Sequence, residues 1–118
     1  MEFSRHGQVL GNLLFELLSE ALGLLPDHLK DMDCAKGHLI FCHCYPSCRE
    51  PELKMGTRSH TDPDFITILF QDHVGGLKVL VQNYWIDMPP IPGALVLNIG
   101  DLLQHTTSMP ICCTTKDD

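Results

Sequence analysis

Four short runs, "FITILFQD", "LKVLVQ", "YWIDMP" and "ALVLNIGD", follow one another between Phe65 and Asp101. Each is rich in β-branched or aromatic residues, and each is closed by Gly, Pro or Asn. Gly75-Gly76 makes one turn, Gln82-Asn83 predicts a tight one, "PPIPG" breaks the chain, and Gly100-Asp101 ends the last run. Strands this short, at about 8–12-residue spacing with such turns, predict an antiparallel barrel or jelly roll. Upstream, "HLIFCHCY" is a further strand candidate ended by Pro46, and "YPSCREPELKMG" reads as a loop.

The N-terminal part has a different period. From Val9 to Leu25 the residues Leu10, Leu13, Leu14, Leu17, Leu18 and Ala21 form one apolar stripe, with Asn12, Glu16, Ser19 and Glu20 mostly opposite. Gly23 lies near its end. A short helix then restarts at "LLPDHLKDM", where Pro26 suits a first helical position and Asp27 the positive end of the dipole. The chain of 118 residues is expected to be one domain at most: a helical segment over 1–36 backing the core, a β-rich part over 37–104, and a tail over 105–118. No periodicity survives in that tail, which is expected to be divergent and disordered. Trp85 is expected in the core, and Phe65, Ile66, Ile68 and Phe70 at interior and helix-packing positions.

Charge narrows the partners. Eight basic against fifteen acidic residues give a net charge of -7, and the cations are scattered. Phosphate binding needs clustered cations, so the charge argues against nucleic acid as a partner, and no basic patch suits a membrane. "VLGNLLFELLSEALGLL" carries Glu16 and Glu20 and makes a poor membrane span. "MEFSRHGQVL" has no cationic region leading into an apolar one. Six cysteines without a secretory context read as free thiols in a reducing, cytoplasmic compartment.

His60-x-Asp62, directly before "FITILF", sets two metal-ligating groups on one strand face. A facial triad of two imidazoles and one carboxylate holds non-haem Fe(II), and its third member must come from a distant strand. Taken alone the spacing is weak: a surface histidine and a turn aspartate look the same. A second reading uses Cys42-x-Cys44-x3-Cys48 with His43 and His38 as a zinc or redox module. Alternation, however, makes Cys42 and Cys44 ordinary small core residues, and Cys112-Cys113 chelates poorly.

The Tyr45-Pro46 loop, His60-x-Asp62, the Gly-Gly turn, the Trp85-x-Asp87 strand, "PPIPGALV" and "NIGDLLQ" occur in an order and spacing that resemble the plant 2-oxoglutarate- and Fe(II)-dependent dioxygenases. The branch called 1-aminocyclopropane-1-carboxylate oxidase homologues is the most similar. The resemblance runs from roughly the first helix to Gln104. It implies a mainly β fold with flanking α, a partial double-stranded β-helix of jelly-roll or cupin-like type packed against N-terminal helices. It implies Fe(II) and 2-oxoglutarate as cofactors, with ascorbate as an optional addition, and dioxygen plus a small plant metabolite as co-substrates. By the same resemblance His60 and Asp62 match two iron ligands, Tyr45 matches the tyrosine that bonds the far carboxylate of 2-oxoglutarate, and His43 falls near that co-substrate. Gly100 and Asp101 match a structural turn.

Two family elements expected after "NIGDLLQ" do not occur: a second histidine, projected near Lys116, and an Arg-x-Ser clamp for 2-oxoglutarate. His105 comes too early to replace the histidine and reads as solvated. The region before the first helix is also short by family standards. The chain therefore resembles the middle of an oxygenase with an unrelated tail. It is expected to be marginally stable, aggregation-prone and low in turnover; the alternative is a non-catalytic interaction fragment whose open strands pair with an intact relative. Substrate and oligomeric state are not fixed by the sequence.

Overall fold

The computed structural model describes residues 2–34, 36–50, 53, 56–107 and 114–117. They fall into two compact units, Met1–Cys44 and Tyr45–Asp118.

In the first unit, α1 spans Glu2–Ala21, starting earlier than the apolar stripe predicts. Gly23, at φ +72°, ends it: its N–H donates to the Glu20 carbonyl and the Leu24 N–H to that of Ser19. This is the paired-bond stop that favours glycine, because the left-handed backbone crowds any Cβ. A short helix, α2, follows at His28–Asp31. Phe15, Ser19, Leu29 and Cys34 are buried here. Ser19 joins the two helices. Its hydroxyl donates to the Phe15 carbonyl at 2.8 Å and accepts the Leu29 N–H at 3.2 Å. That N–H lies in the first turn of α2, where no intrahelical acceptor exists.

"HLIFCHCY" is not a strand. Residues 38–45 have no regular structure and are exposed throughout, Leu39 by 80% and Phe41 by 73%. β-propensity supplies no ladder by itself, and among the described residues no strand pairs with this one.

The second unit holds six strands in two sheets. β1 (Thr57–Thr61), β3 (Leu77–Val81), β4 (Tyr84–Asp87) and β6 (Thr114–Asp117) form one sheet in the order β1-β6-β3-β4, and β2 (Ile66–Leu69) pairs with β5 (Val96–Ile99) in the other. All pairings are antiparallel. β3 and β4 form a hairpin closed at Gln82-Asn83, both at positive φ, as expected of a two-residue turn that matches strand twist. Before β3, the Asp72 carboxylate accepts the N–H of Val74 at 2.9 Å and of Gly75 at 3.3 Å, which builds the Gly-Gly turn.

Three expectations differ from this fold. Phe70 is 66% exposed and Trp85 38% exposed, because Phe70 lies past the end of β2 and β4 is a sheet edge. The chain beyond Asp101 is not featureless: α3 spans Asp101–Thr107 and buries Leu103 completely. The tail, read as disordered, supplies β6, in which β-branched Thr114 and Thr115 sit between β1 and β3. Cys112, Cys113 and Asp118 lie outside the described residues. No helix among the described residues is long and apolar enough to cross a membrane.

Candidate metal centre

His60 sits near the end of β1 and Asp62 one residue past it. His60 Nε2 stands 3.5 Å from Asp62 Oδ1, so the two side chains converge. The other ring nitrogen is engaged: Nδ1 lies 2.8 Å from the Arg58 carbonyl, which can only accept, so Nδ1 carries a proton. The pairing of β1 with β6 shifts between Thr57 and His60, and this irregularity takes Arg58 out of the regular ladder. Local bulges of this kind re-aim side chains beside functional sites.

The carboxylate is fixed from the other side. Asn98 Nδ2 donates to Asp62 Oδ2 at 3.4 Å. The Asp62 carbonyl accepts the Asp101 N–H at 2.8 Å, and the Asp64 carbonyl accepts the Leu102 N–H at 3.2 Å. Thr61 Oγ1 donates to Asp101 Oδ2 at 2.8 Å. Gly100 closes the same loop with its N–H on the Phe65 carbonyl at 2.9 Å. A Cβ at position 100 would overlap the Asp64 carbonyl oxygen, so only glycine fits.

These residues fit a cation. With Nδ1 donating to the Arg58 carbonyl, Nε2 and Oδ1 face each other at 3.5 Å, and a metal ion between them would take a lone pair from each. Two nitrogen or oxygen donors each about 2.1 Å from one ion stand roughly 3 Å apart when adjacent, close to the separation here. Asp62 is 14% exposed and His60 43%, so the pair has a sheltered oxygen side and an open imidazole side. Among the described residues no group of three His, Cys, Asp or Glu surrounds one point. Cys42, Cys44 and Cys48 are exposed free thiols, and no metal geometry gathers them.

Of the other expected site residues, Tyr45 reaches β1: its hydroxyl lies 2.7 Å from Thr57 Oγ1. His43 lies in the first unit and is exposed. Lys116, the projected place of a further ligand, falls on β6, next to Thr115, the register partner of His60. His105 is exposed on α3. Sequence reasoning missed Asn98. Its signal was there: a lone amide inside the apolar run Val96-Leu97-Asn98-Ile99, buried to 5% exposure.

A family model described as the 2OG-Fe(II) oxygenase superfamily matches residues 36–111. The chain is 57% identical over 108 residues to 1-aminocyclopropane-1-carboxylate oxidase homolog 1 of Arabidopsis thaliana, covering 92% of this chain and 30% of that protein. It is 57% identical over 108 residues to deacetoxyvindoline 4-hydroxylase of Catharanthus roseus, covering 92% of this chain and 27% of that one. The chain thus spans less than a third of the length of these two relatives. The crystal structure of JOX2 in complex with 2OG, Fe and JA matches with TM-score 0.83 at 27% identity, over 98% of this chain and 36% of that one. A full-length Neurospora crassa protein in complex with alpha-KG gives 0.81 at 24% identity, over 98% and 37%, and shows the fold alone. The fold is the mainly β, jelly-roll type with flanking helices, and the chain belongs to the 2OG-Fe(II) oxygenase superfamily.

Proposed function

We propose that this chain carries part of an Fe(II)- and 2-oxoglutarate-dependent oxidising centre acting on a small plant metabolite, with His60 and Asp62 as iron ligands. One observation carries the reading: Nε2 and Oδ1 converge at 3.5 Å, each held from behind by its own partner. Bound iron with 2-oxoglutarate supplies the chemistry by which dioxygen oxidises a C–H bond while the keto acid is decarboxylated. The chain's residues do the rest. The Arg58 carbonyl fixes the imidazole tautomer so that Nε2 is the ligating atom. Tyr45, whose hydroxyl lies 2.7 Å from Thr57 Oγ1 of β1, is our candidate for bonding the far carboxylate of 2-oxoglutarate.

Two protein ligands hold an ion less firmly than three. Among the described residues two protein donors converge, so iron binding is expected to be weak. One relative, named as a 4-hydroxylase, supports oxidation of a small molecule as the reaction class. Free thiols at Cys34, Cys42, Cys44 and Cys48 support a cytoplasmic setting. Anaerobic titration with Fe(II) and 2-oxoglutarate tests the reading. A visible charge-transfer band that His60→Ala and Asp62→Ala each abolish is expected. A wild-type chain that gives no band and binds no Fe(II) overturns it.

A further inference from the structure

Asn98 is a costly residue where it stands. It lies in the middle of β5, opposite Thr67 of β2, and is 5% exposed among Val96, Leu97 and Ile99. An amide placed there loses its water, and an apolar side chain would pack more favourably. β5 is otherwise built as a buried strand, so the amide needs a reason. Its reach supplies one: Nδ2 donates to Oδ2 of Asp62, thirty-six residues earlier.

We propose that Asn98 is a positioning residue for the metal centre, which selects the oxygen that Asp62 offers to the ion. Holding Oδ2 from behind leaves Oδ1 as the free oxygen, and Oδ1 is the one that stands 3.5 Å from His60 Nε2. The bond also stops the carboxylate from rotating about its terminal torsion, which is broad and soft when nothing holds it. His60 Nε2 and Asp62 Oδ1 would then offer an ion one nitrogen and one oxygen at a fixed separation. The bolt at Gly100-Asp101 fixes the Asp62 backbone, and Asn98 fixes its head group. The inference rests on His60 and Asp62 being the ligands.

Asn98→Leu keeps the volume, and Asn98→Val suits a strand; both remove the donor. Co(II), an air-stable probe of the same site, is titrated against each variant of the whole chain by absorbance and chelator competition. Affinity is expected to fall about tenfold or more, the usual effect of removing a partner behind a ligand, with a changed Co(II) band and an undiminished metal-free melting temperature. A variant that folds and binds Co(II) as the wild type does overturns the proposal. His60→Ala and Asp62→Ala separate the two ideas. If they lose Co(II) while Asn98→Leu keeps it, Asn98 has no positioning role although the ligands stand; if they keep it, the ligand assignment fails and Asn98 with it. Should neither variant fold, the wild type answers directly. The Asn98 side-chain amide resonances are expected to shift on adding diamagnetic Zn(II), and an unmoved pair overturns the inference.

Discussion

At the scale of single residues, the sharpest constraint is Gly100. Its missing Cβ leaves room for the Asp64 carbonyl, so Gly100→Ala must displace the loop that carries Asp62. The backbone is not left-handed here, so the cost is steric, not conformational. Gly100→Ala is expected to weaken Co(II) binding and to destabilise the fold by about 1–3 kcal/mol, the range for forcing extra bulk into a packed site; thermal melts and the same metal titration read both. Cys34 makes a second case. Burial pushes its thiol above the usual value of 9.0, the hydrogen bond from its own backbone opposes this, and the nearby Asp33 carboxylate adds to the rise. The folded state therefore favours the neutral thiol. Its contribution to stability is complete below the ordinary thiol value and is lost as pH climbs through the raised one. Peptide mapping after alkylation at pH 8 is expected to find Cys34 modified after exposed Cys42, Cys44 and Cys48.

At the scale of elements, the α1–α2 joint depends on one hydroxyl. Ser19→Ala leaves the fully buried Leu29 N–H without an acceptor and should cost about 1–3 kcal/mol, measured by denaturant melts. Strands β2 to β5 were legible in the sequence because alternation, turn residues and short spacing agree there. Gln82-Asn83 announced its hairpin for the same reason. "HLIFCHCY" carried the same local signal and failed, since a strand is a property of a pair and the sequence of one member does not name the other. α3 and β6 were missed for the converse reason. Asp101–Thr107 is too short for a period to show, yet its first N–H groups find the carbonyls of Asp62 and Asp64. β6 has little apolar character, yet two strands flank it. In the candidate site, His60 and Asp62 drew attention in the sequence because they are two apart; the lone amide of Asn98 was visible in its apolar run, but its partner, like that of the Arg58 carbonyl, depends on register and on a bulge.

At the scale of the whole molecule, the chain divides into two units with the exposed, irregular stretch 38–50 running across their boundary at Cys44 and Tyr45. Brief digestion with a nonspecific protease is expected to cut first within 38–50, where backbone is neither helical nor paired. First cuts inside β3 or α1, read by intact mass, would contradict that. Exposed apolar side chains are numerous, including Val9, Leu13 and Leu17 along α1 and Phe70, Tyr84 and Ile91 in the second unit. The two-strand sheet β2-β5 also has two unpaired edges among the described residues. Such surfaces favour association, so light scattering at rising concentration is expected to show growth of oligomers at moderate salt.

The loop from Asp62 to Phe65 is held by residues some thirty-five to forty positions downstream, at the end of β5 and the start of α3. A short peptide containing "RSHTDPDF" would thus carry both donor atoms without their arrangement. Anyone transplanting this pair into another scaffold must bring the "NIGDLL" corner along with it, and during folding the chelating geometry is assembled late, only once that distant corner has docked.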